Sequence, residues 1–465
     1  LVEIAKDKDP TDVLRYKVTH VMNQLRIATS KDSDEVLLLI DQWLKLLRKC
    51  PKKIIFEVFQ DSYHNSEEYP QVLEILEDIL PAIATLDAVS VLIENYVLLP
   101  SPSFNDDDLV AARIRSLASM SNVIHEETIL KLIEASRHPT VRRKSARRES
   151  LKSLWLTIGS LSKTFLERPR STANVSDKVQ VTEAFLAQYF REELRAKEPV
   201  SSLGPTERMI VLLKALGNAG LATDEAVLAD LEAILLGKMA SDASVGLRTQ
   251  AVYALRKVAP KRASVALVRR LLLPLLVNEK EDTELRIAAY IVLMKTRPEP
   301  AFIRLILNKV TTEKNEQLRS FVLSHMRAFV DNPSLCYSEA AKNISRILES
   351  IPRKDFGAQY SQSYKMALNK NKNVFLMGNL LWTKDGFLPR AGNIRLQVDL
   401  SGEEFDLAEF GMRSQGLQDL LEKLLGPEGS FYSADTLEEL LKRYEESVSE
   451  KDNDFATYFK LFDDE

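Results

Sequence analysis

Six of the twelve residues from Arg137 to Arg148 are Lys or Arg, the densest basic run in the chain. Arg143 and Arg147 stand four apart, as do Lys144 and Arg148, so a helix there would show adjacent cationic rows able to hold a polyanion or phospholipid headgroups. The local sequence supplies only Glu149 as an acidic neighbour. Arg142, Arg143, Lys144, Arg147 and Arg148 must therefore be either an exposed contact surface for anions, such as headgroups or sulfated glycans, or a helix face matched by carboxylates that the fold brings in. No aromatic residues interleave the run, which argues against nucleic acid.

Other chemistry is scarce. The five histidines, His20, His64, His125, His138 and His325, are scattered, without HExxH or paired metal spacing. Neither GxSxG, nor GxxxxGK[ST], nor GxGxxG after a strand is present. Gly217-Asn218-Ala219-Gly220 has the look of a phosphate loop, but it follows a helix from Met209 to Leu216 whose C-terminal carbonyls repel anions, so a helix-ending turn fits better. The carboxylates form no acid/base pair. No enzyme activity, metal or cofactor is expected. Asn174-Val175-Ser176, in an aperiodic loop, and Asn343-Ile344-Ser345, in a predicted helix, are glycosylation sequons, of which Asn174 is the better acceptor if the chain is secreted.

Composition narrows the class. A chain of 465 residues exceeds what one core usually serves, while 45% hydrophobic and 28% charged residues describe an ordinary folded protein. A net charge of −4 is too balanced for a nucleic-acid binder over the whole length. Cys50 and Cys336 match no metal spacing and do not fix a compartment. The chain starts Leu1-Val2-Glu3, and no stretch reaches the ~18 consecutive apolar residues of a membrane span. We expect an internal piece of a longer protein.

The elements that must position any site are helices. Leu247-Arg248-Thr249-Gln250-Ala251 returns 38 residues later as Leu285-Arg286-Ile287-Ala288-Ala289, and more faintly as Leu318-Arg319-Ser320-Phe321. Leu247, Ala251 and Leu255, like Leu285, Ala289 and Leu293, have helical spacing, and the small Ala lets a neighbouring helix approach. Copies of this length, ending near Pro260, Pro298 and Pro333, are the signature of stacked two-helix repeats of the HEAT type. Earlier helices read at 11–29, 34–49, 53–62, 71–84, 86–98, 106–120 and 125–136. Residues 1–351 are thus expected to form about seventeen short helices.

From Arg353 the period changes. Residues 352–371 read as a polar linker, and strands are expected only after about 370. Asn373 to Trp382 is apolar on both parities, so both faces of that strand need cover. Asp385-Gly386 signals a turn, and Gly392 to Leu400 alternates Ile394, Leu396, Val398 and Leu400 against Asn393, Arg395, Gln397 and Asp399. Phe405 to Phe410 is a further strand candidate. Leu417 to Leu425, stopped by Gly426-Pro427, and a helix capped at Asp435 close the chain.

Leu212 to Gly220 followed by Leu-Arg-x-x-Ala helices, together with Phe387-Leu388-Pro389-Arg390, Asp406 to Gly411 and Gly416 to Gly426, resembles the large lipid transfer proteins. These are the vitellogenins, apolipophorins, apolipoprotein B and the microsomal triglyceride transfer protein, and the C-terminal pattern looks most like apolipophorin or apolipoprotein B. The resemblance implies a mostly α fold: a HEAT-like double-layered α-superhelix over 1–351, then the first strands of a lipid-cavity sheet plus two amphipathic helices over 372–465. It implies lipid transport by a secreted lipoprotein, bound phospholipid and neutral lipid, lipoprotein receptors or sulfated glycans as partners, and further domains of a larger precursor. Phe375, Met377 and Leu381, or else the opposite parity, would then face lipid. The rival expectation is a HEAT-type scaffold that binds protein partners and carries no lipid.

Overall fold

Helix starts here are written in side chains that accept from free backbone N–H groups. Thr85, Asp106, Thr182, Ser244, Asp282 and Asn315 each cap the helix that follows. A computed structural model of the protein describes residues 9–28, 33–98, 106–119, 125–143, 147–167, 181–196, 200, 203–221, 224–239, 244–261, 264–333, 338–351, 356–357, 359–369, 373–382, 389–400, 403–415 and 454–461. The described residues form two compact units, Leu1–Val227 and Leu228–Glu465.

The first unit holds α1 (Pro10–Ala28), α2 (Ser33–Leu47), α3 (Lys52–His64), α4 (Pro70–Ile83), α5 (Leu86–Leu92), α6 (Asp107–Ser116), α7 (Glu126–Arg137), α8 (Pro139–Arg142), α9 (Arg148–Leu166), α10 (Glu183–Arg195) and α11 (Pro205–Ala219). A π-helical turn, Ile93–Val97, prolongs α5. Helices two apart in sequence pack together: α1 on α3, α2 on α4, α3 on α5, α4 on α6, α5 on α7, α7 on α9 and α9 on α11. That alternation is what a two-layer stack of helical repeats produces. Gly159 permits the close approach of α9 to α11, since a Cβ there would lie 2.2 Å from the Ala215 carbonyl oxygen. Gly220, at φ 67°, ends α11 in the left-handed conformation, so the Gly217–Gly220 segment is the expected helix stop.

The second unit begins within α12 (Glu225–Leu235) and continues through α13 (Val245–Ala254), α14 (Val265–Val277), α15 (Thr283–Lys295), α16 (Pro300–Thr311), α17 (Glu316–Asp331) and α18 (Ser338–Leu348). Here α13 packs on α15, α15 on α17, and α16 on α18. Leu247, Ala251, Leu255, Leu285, Ala289 and Leu293 are all fully buried, as the repeat requires. The three copies also share a cap three residues before their Leu: Ser244, Asp282 and Asn315.

The Arg of the repeat is a clasp. Arg248 Nε donates to the Leu235 carbonyl at 2.8 Å and Nη2 to Glu281 at 2.9 Å. Arg286 repeats this, Nε to the Leu276 carbonyl at 3.0 Å and Nη2 to Glu313. Each guanidinium thereby satisfies a carbonyl near the end of the preceding helix and ties in the acidic residue ahead of the next cap.

Among the described residues five antiparallel strands follow, β1 (Gln362–Asn369), β2 (Val374–Leu381), β3 (Ala391–Leu400), β4 (Glu403–Gln415) and β5 (Asp454–Leu461), hydrogen-bonded in sequence order. β1 corrects the expectation of a linker over 352–371 and of strands only after 370. Its large apolar residues, Tyr364, Met366 and Leu368, sit on one parity, and side chains of α17 and of Asn332 just beyond it satisfy backbone groups along its edge. Gln317 Oε1 accepts from Ser361 N at 2.6 Å, Ser324 Oγ accepts from Ser363 N at 3.0 Å, and Asn332 Nδ2 donates to the Lys365 carbonyl at 2.8 Å. Such cover removes one open strand edge. The fold is mostly helical with this sheet at its C-terminal end. The turn expected at Asp385-Gly386 and the two leucine-rich helices after Gly416 lie outside the described residues.

Candidate functional site

The pleat sorts the sheet into two faces of opposite character. On one, β2 contributes Phe375 and Met377, each 3% exposed, with Asn379 and Leu381. Their register partners on β3 are Gln397, Arg395, Asn393 and Ala391, and Arg395 in turn stands opposite Glu409 of β4. Lys365, Arg395, Gln397, Asp399, Asp406 and Glu409 are all buried. This face is polar, and the helices of the second unit cover it.

Those helices answer its charges. Arg256, just beyond α13, donates to Glu409 at 2.9 Å and to Asp406 at 3.1 Å. Arg395 and Lys295 also reach Asp406, at 3.6 and 3.9 Å. Glu284, in the first turn of α15, accepts from Arg413 at 2.6 and 3.1 Å and pairs with Arg390 at 2.9 Å. Removing one partner from such a group would leave a buried charge unmatched. Lys365 Nζ sits over the Phe375 ring at 4.2 Å and the Phe329 ring at 5.1 Å. Behind it, His325 Nδ1 is 2.8 Å from the Tyr290 hydroxyl. Burial, then the Arg395 and Lys365 charges, hold His325 down to about 3 from its ordinary 6.5, so it is neutral at pH 7.

The other face is apolar and exposed. Met366 is 54% exposed, Leu368 52%, Ile394 57%, Leu400 55% and Phe410 51%, and Tyr364, Leu380, Phe405 and Met412 are also exposed. Ile394 stands opposite both Gly378 and Phe410, and Gly392 opposite Met412, so these residues form one surface across β1 to β4. Leaving each such side chain in water forgoes about 1.5–3 kcal/mol of burial. A sheet ordinarily turns its apolar side to the protein core and its polar side to water, so this one is inverted. Phe375, Met377 and Leu381 are core residues beneath it, and the opposite parity is the free one.

The basic run in the first unit is dispersed by the fold. Arg142 donates to Glu193 at 2.5 Å and to the Ser136 carbonyl at 2.9 Å. Arg147 is buried beside Asp107 of α6, 4.0 Å away, while the same carboxylate caps α9 through Glu149 N at 2.6 Å and Ser150 Oγ at 2.5 Å. Arg148 makes two 2.7 Å bonds to Glu207. Burial pushes the Glu207 carboxyl up, but hydrogen bonds from Arg148 and Lys152 bring it below the usual range. Three of the five cations expected to form an anion-binding surface, Arg142, Arg147 and Arg148, are thus matched by carboxylates from other helices, 51 and 59 residues further along the chain for Glu193 and Glu207. Arg143 is exposed, whereas Lys144 and Asn174 lie outside the described residues. Among the described residues no group of three or more His, Cys, Asp or Glu side chains could hold a metal, and no helix is long and apolar enough to cross a membrane.

A repeat-helix scaffold that covers the polar side of a sheet and leaves its apolar side open is the architecture of a helical-domain-plus-open-sheet protein. Residues 14–327 match the family model described as the vitellogenin TPR domain, and residues 359–465 match that of the vitellinogen open β-sheet. The chain belongs to the vitellogenin family. It is 27% identical to a vitellogenin of Penaeus merguiensis over 51% of its own length and 9% of the relative's. It is also 27% identical to apolipoprotein B-100 of Rattus norvegicus, over 49% of this chain and 5% of that one. A solved structure described as "Lipid-protein interactions in lipovitellin" shares the fold, with a TM-score of 0.72 and 22% identity over 99% of this chain and 43% of that one. The chain thus spans a small part of the length of these relatives.

Proposed function

We propose that this chain is the helical scaffold and first sheet of a lipid carrier, and that lipid covers the exposed face of β1 to β4. One observation carries the reading: Arg256 and Glu284 of the helical region pair with charged residues on the covered face of the sheet, while the apolar face has no protein cover among the described residues. Exposed apolar surface of that extent calls for an apolar partner. Lipid is the partner named for the lipovitellin structure, and vitellogenin and apolipoprotein B relatives point the same way. On this reading the side chains in contact with lipid are Tyr364, Met366, Leu368, Leu380, Ile394, Phe405, Phe410 and Met412. The protein works outside the cell, without catalysis, as part of a longer precursor whose other domains close the lipid space and meet receptors. The C-terminal pattern favours a carrier of the apolipophorin or apolipoprotein B kind.

Mass spectrometry of the protein purified without detergent tests this. Phospholipid and neutral lipid should travel with it. A protein that is lipid-free as isolated, and that takes up none from emulsions, would favour a protein-binding scaffold instead.

A further inference from the structure

We propose that the cavity between α17 and the β1 end of the sheet seats the headgroup of a zwitterionic phospholipid, its phosphate on Arg327 and its ammonium on Asp331, with the acyl chains laid over the exposed apolar face. The inference rests on the lipid-carrier reading and specifies where one lipid is held. The cavity measures about 580 Å³, inside the roughly 300–1,000 Å³ of small-molecule sites. Its helical wall presents Arg327 and Asp331, four residues and hence one turn apart on α17. Among the described residues no ion pair or hydrogen bond holds either side chain. The other cation of the lining, Lys365, is turned onto the rings of Phe329 and Phe375.

The opposite wall includes Met366, Leu376 and Ile394. Met366 and Ile394 belong to the exposed apolar face, so the polar and apolar regions are continuous. The arrangement has the chemistry of a zwitterionic lipid. A guanidinium gives a planar fork to a phosphate, and Arg327 is half-buried, where the pairing is stronger than in open water. A carboxylate one turn further on meets an ammonium. Opposite fixed charges match a phosphocholine, whereas an anionic lipid would satisfy Arg327 alone and set its charge against Asp331.

Isothermal titration of the full 465-residue chain with three monomeric lipids decides it: dihexanoyl phosphatidylcholine, dihexanoyl phosphatidylglycerol and dihexanoylglycerol. The parent should bind the choline lipid most tightly. R327Q should weaken both phospholipids about ten-fold and D331N the choline lipid about ten-fold. D331N should leave the glycerol headgroup lipid as tight as before or tighter, and neither variant should change dihexanoylglycerol. Asp331 is exposed, so D331N is a readable variant even if R327Q perturbs packing. Equal choline-lipid affinity in the parent and both variants overturns the headgroup site. Binding of dihexanoylglycerol with no preference for either phospholipid also overturns it and leaves the carrier reading standing. Binding of none of the three overturns both.

Discussion

Glu313→Gln isolates the clasp that ties one helical repeat to the next. The side chains of Arg286 and Glu313 are 1% and 2% exposed, so the substitution leaves a buried guanidinium without its counter-charge, held by the Leu276 carbonyl and at most a neutral amide. Breaking a buried pair from one side costs about 3–5 kcal/mol. At about 1.4 kcal/mol per factor of ten, opening of the helices around it should become roughly two to three orders of magnitude more frequent. Unfolding of the whole chain is a poor readout, because two compact units need not melt together. Amide hydrogen exchange resolves the effect locally: protection should fall in Thr283–Lys295 and Glu316–Asp331 while Arg148–Leu166, in the other unit, keeps its rate. The double variant Arg286→Met with Glu313→Leu should recover most of the protection, since an apolar pair of similar volume often replaces a buried ion pair at little cost. Exchange in Glu313→Gln within ten-fold of the parent would refute the clasp as a stabilising element.

Two further expectations concern the second unit. Ala289 is fully buried in α15, which packs on α13, α14 and α17, so Ala289→Leu should cost roughly 1–3 kcal/mol by overpacking; unchanged urea resistance would show the repeat register to be wrong. His325 is held down to about 3 in the folded chain against an ordinary 6.5. Between those values the unfolded chain binds a proton that the folded chain does not, so its contribution is complete above about pH 6.5 and is lost as pH falls towards 3. The slope should reach about 1.4 kcal/mol per pH unit, and His325→Phe should flatten it in urea titrations at pH 7.5 and 5; an identical slope in the variant would place the acid sensitivity elsewhere.

The repeat was legible because Leu247, Ala251 and Leu285, Ala289 obey a local periodicity. The structure adds caps at Ser244, Asp282 and Asn315, each three residues before the Leu of its copy. The Arg clasp was not legible, since its carboxylate acceptors lie 33 and 27 residues further on. In β3 the alternation disclosed two faces but not which of them the helices cover. That is decided by Arg256 and Glu284, which meet the sheet across 150 and 129 residues of chain. β1 is hard to read from sequence because Tyr364, Met366 and Leu368 line a face left exposed among the described residues, while Ser363 and Lys365 are buried, the reverse of the usual strand. The partners of the basic run were hidden for a related reason: charge is counted along the sequence, but Arg142, Arg148 and Arg147 are matched in space by Glu193, Glu207 and Asp107.

Photo-crosslinking tests the central claim, that the outward apolar face of the sheet is the lipid surface. The full chain would be loaded with a phospholipid bearing a diazirine within its acyl chain, irradiated, and the labelled residues located by peptide mass spectrometry. Label should fall on Met366, Leu368, Ile394, Phe405 and Phe410, and none on Phe375, Met377 or Leu381. Label concentrated on Phe375, Met377 and Leu381, or confined to the helices with the sheet unmarked, would contradict it.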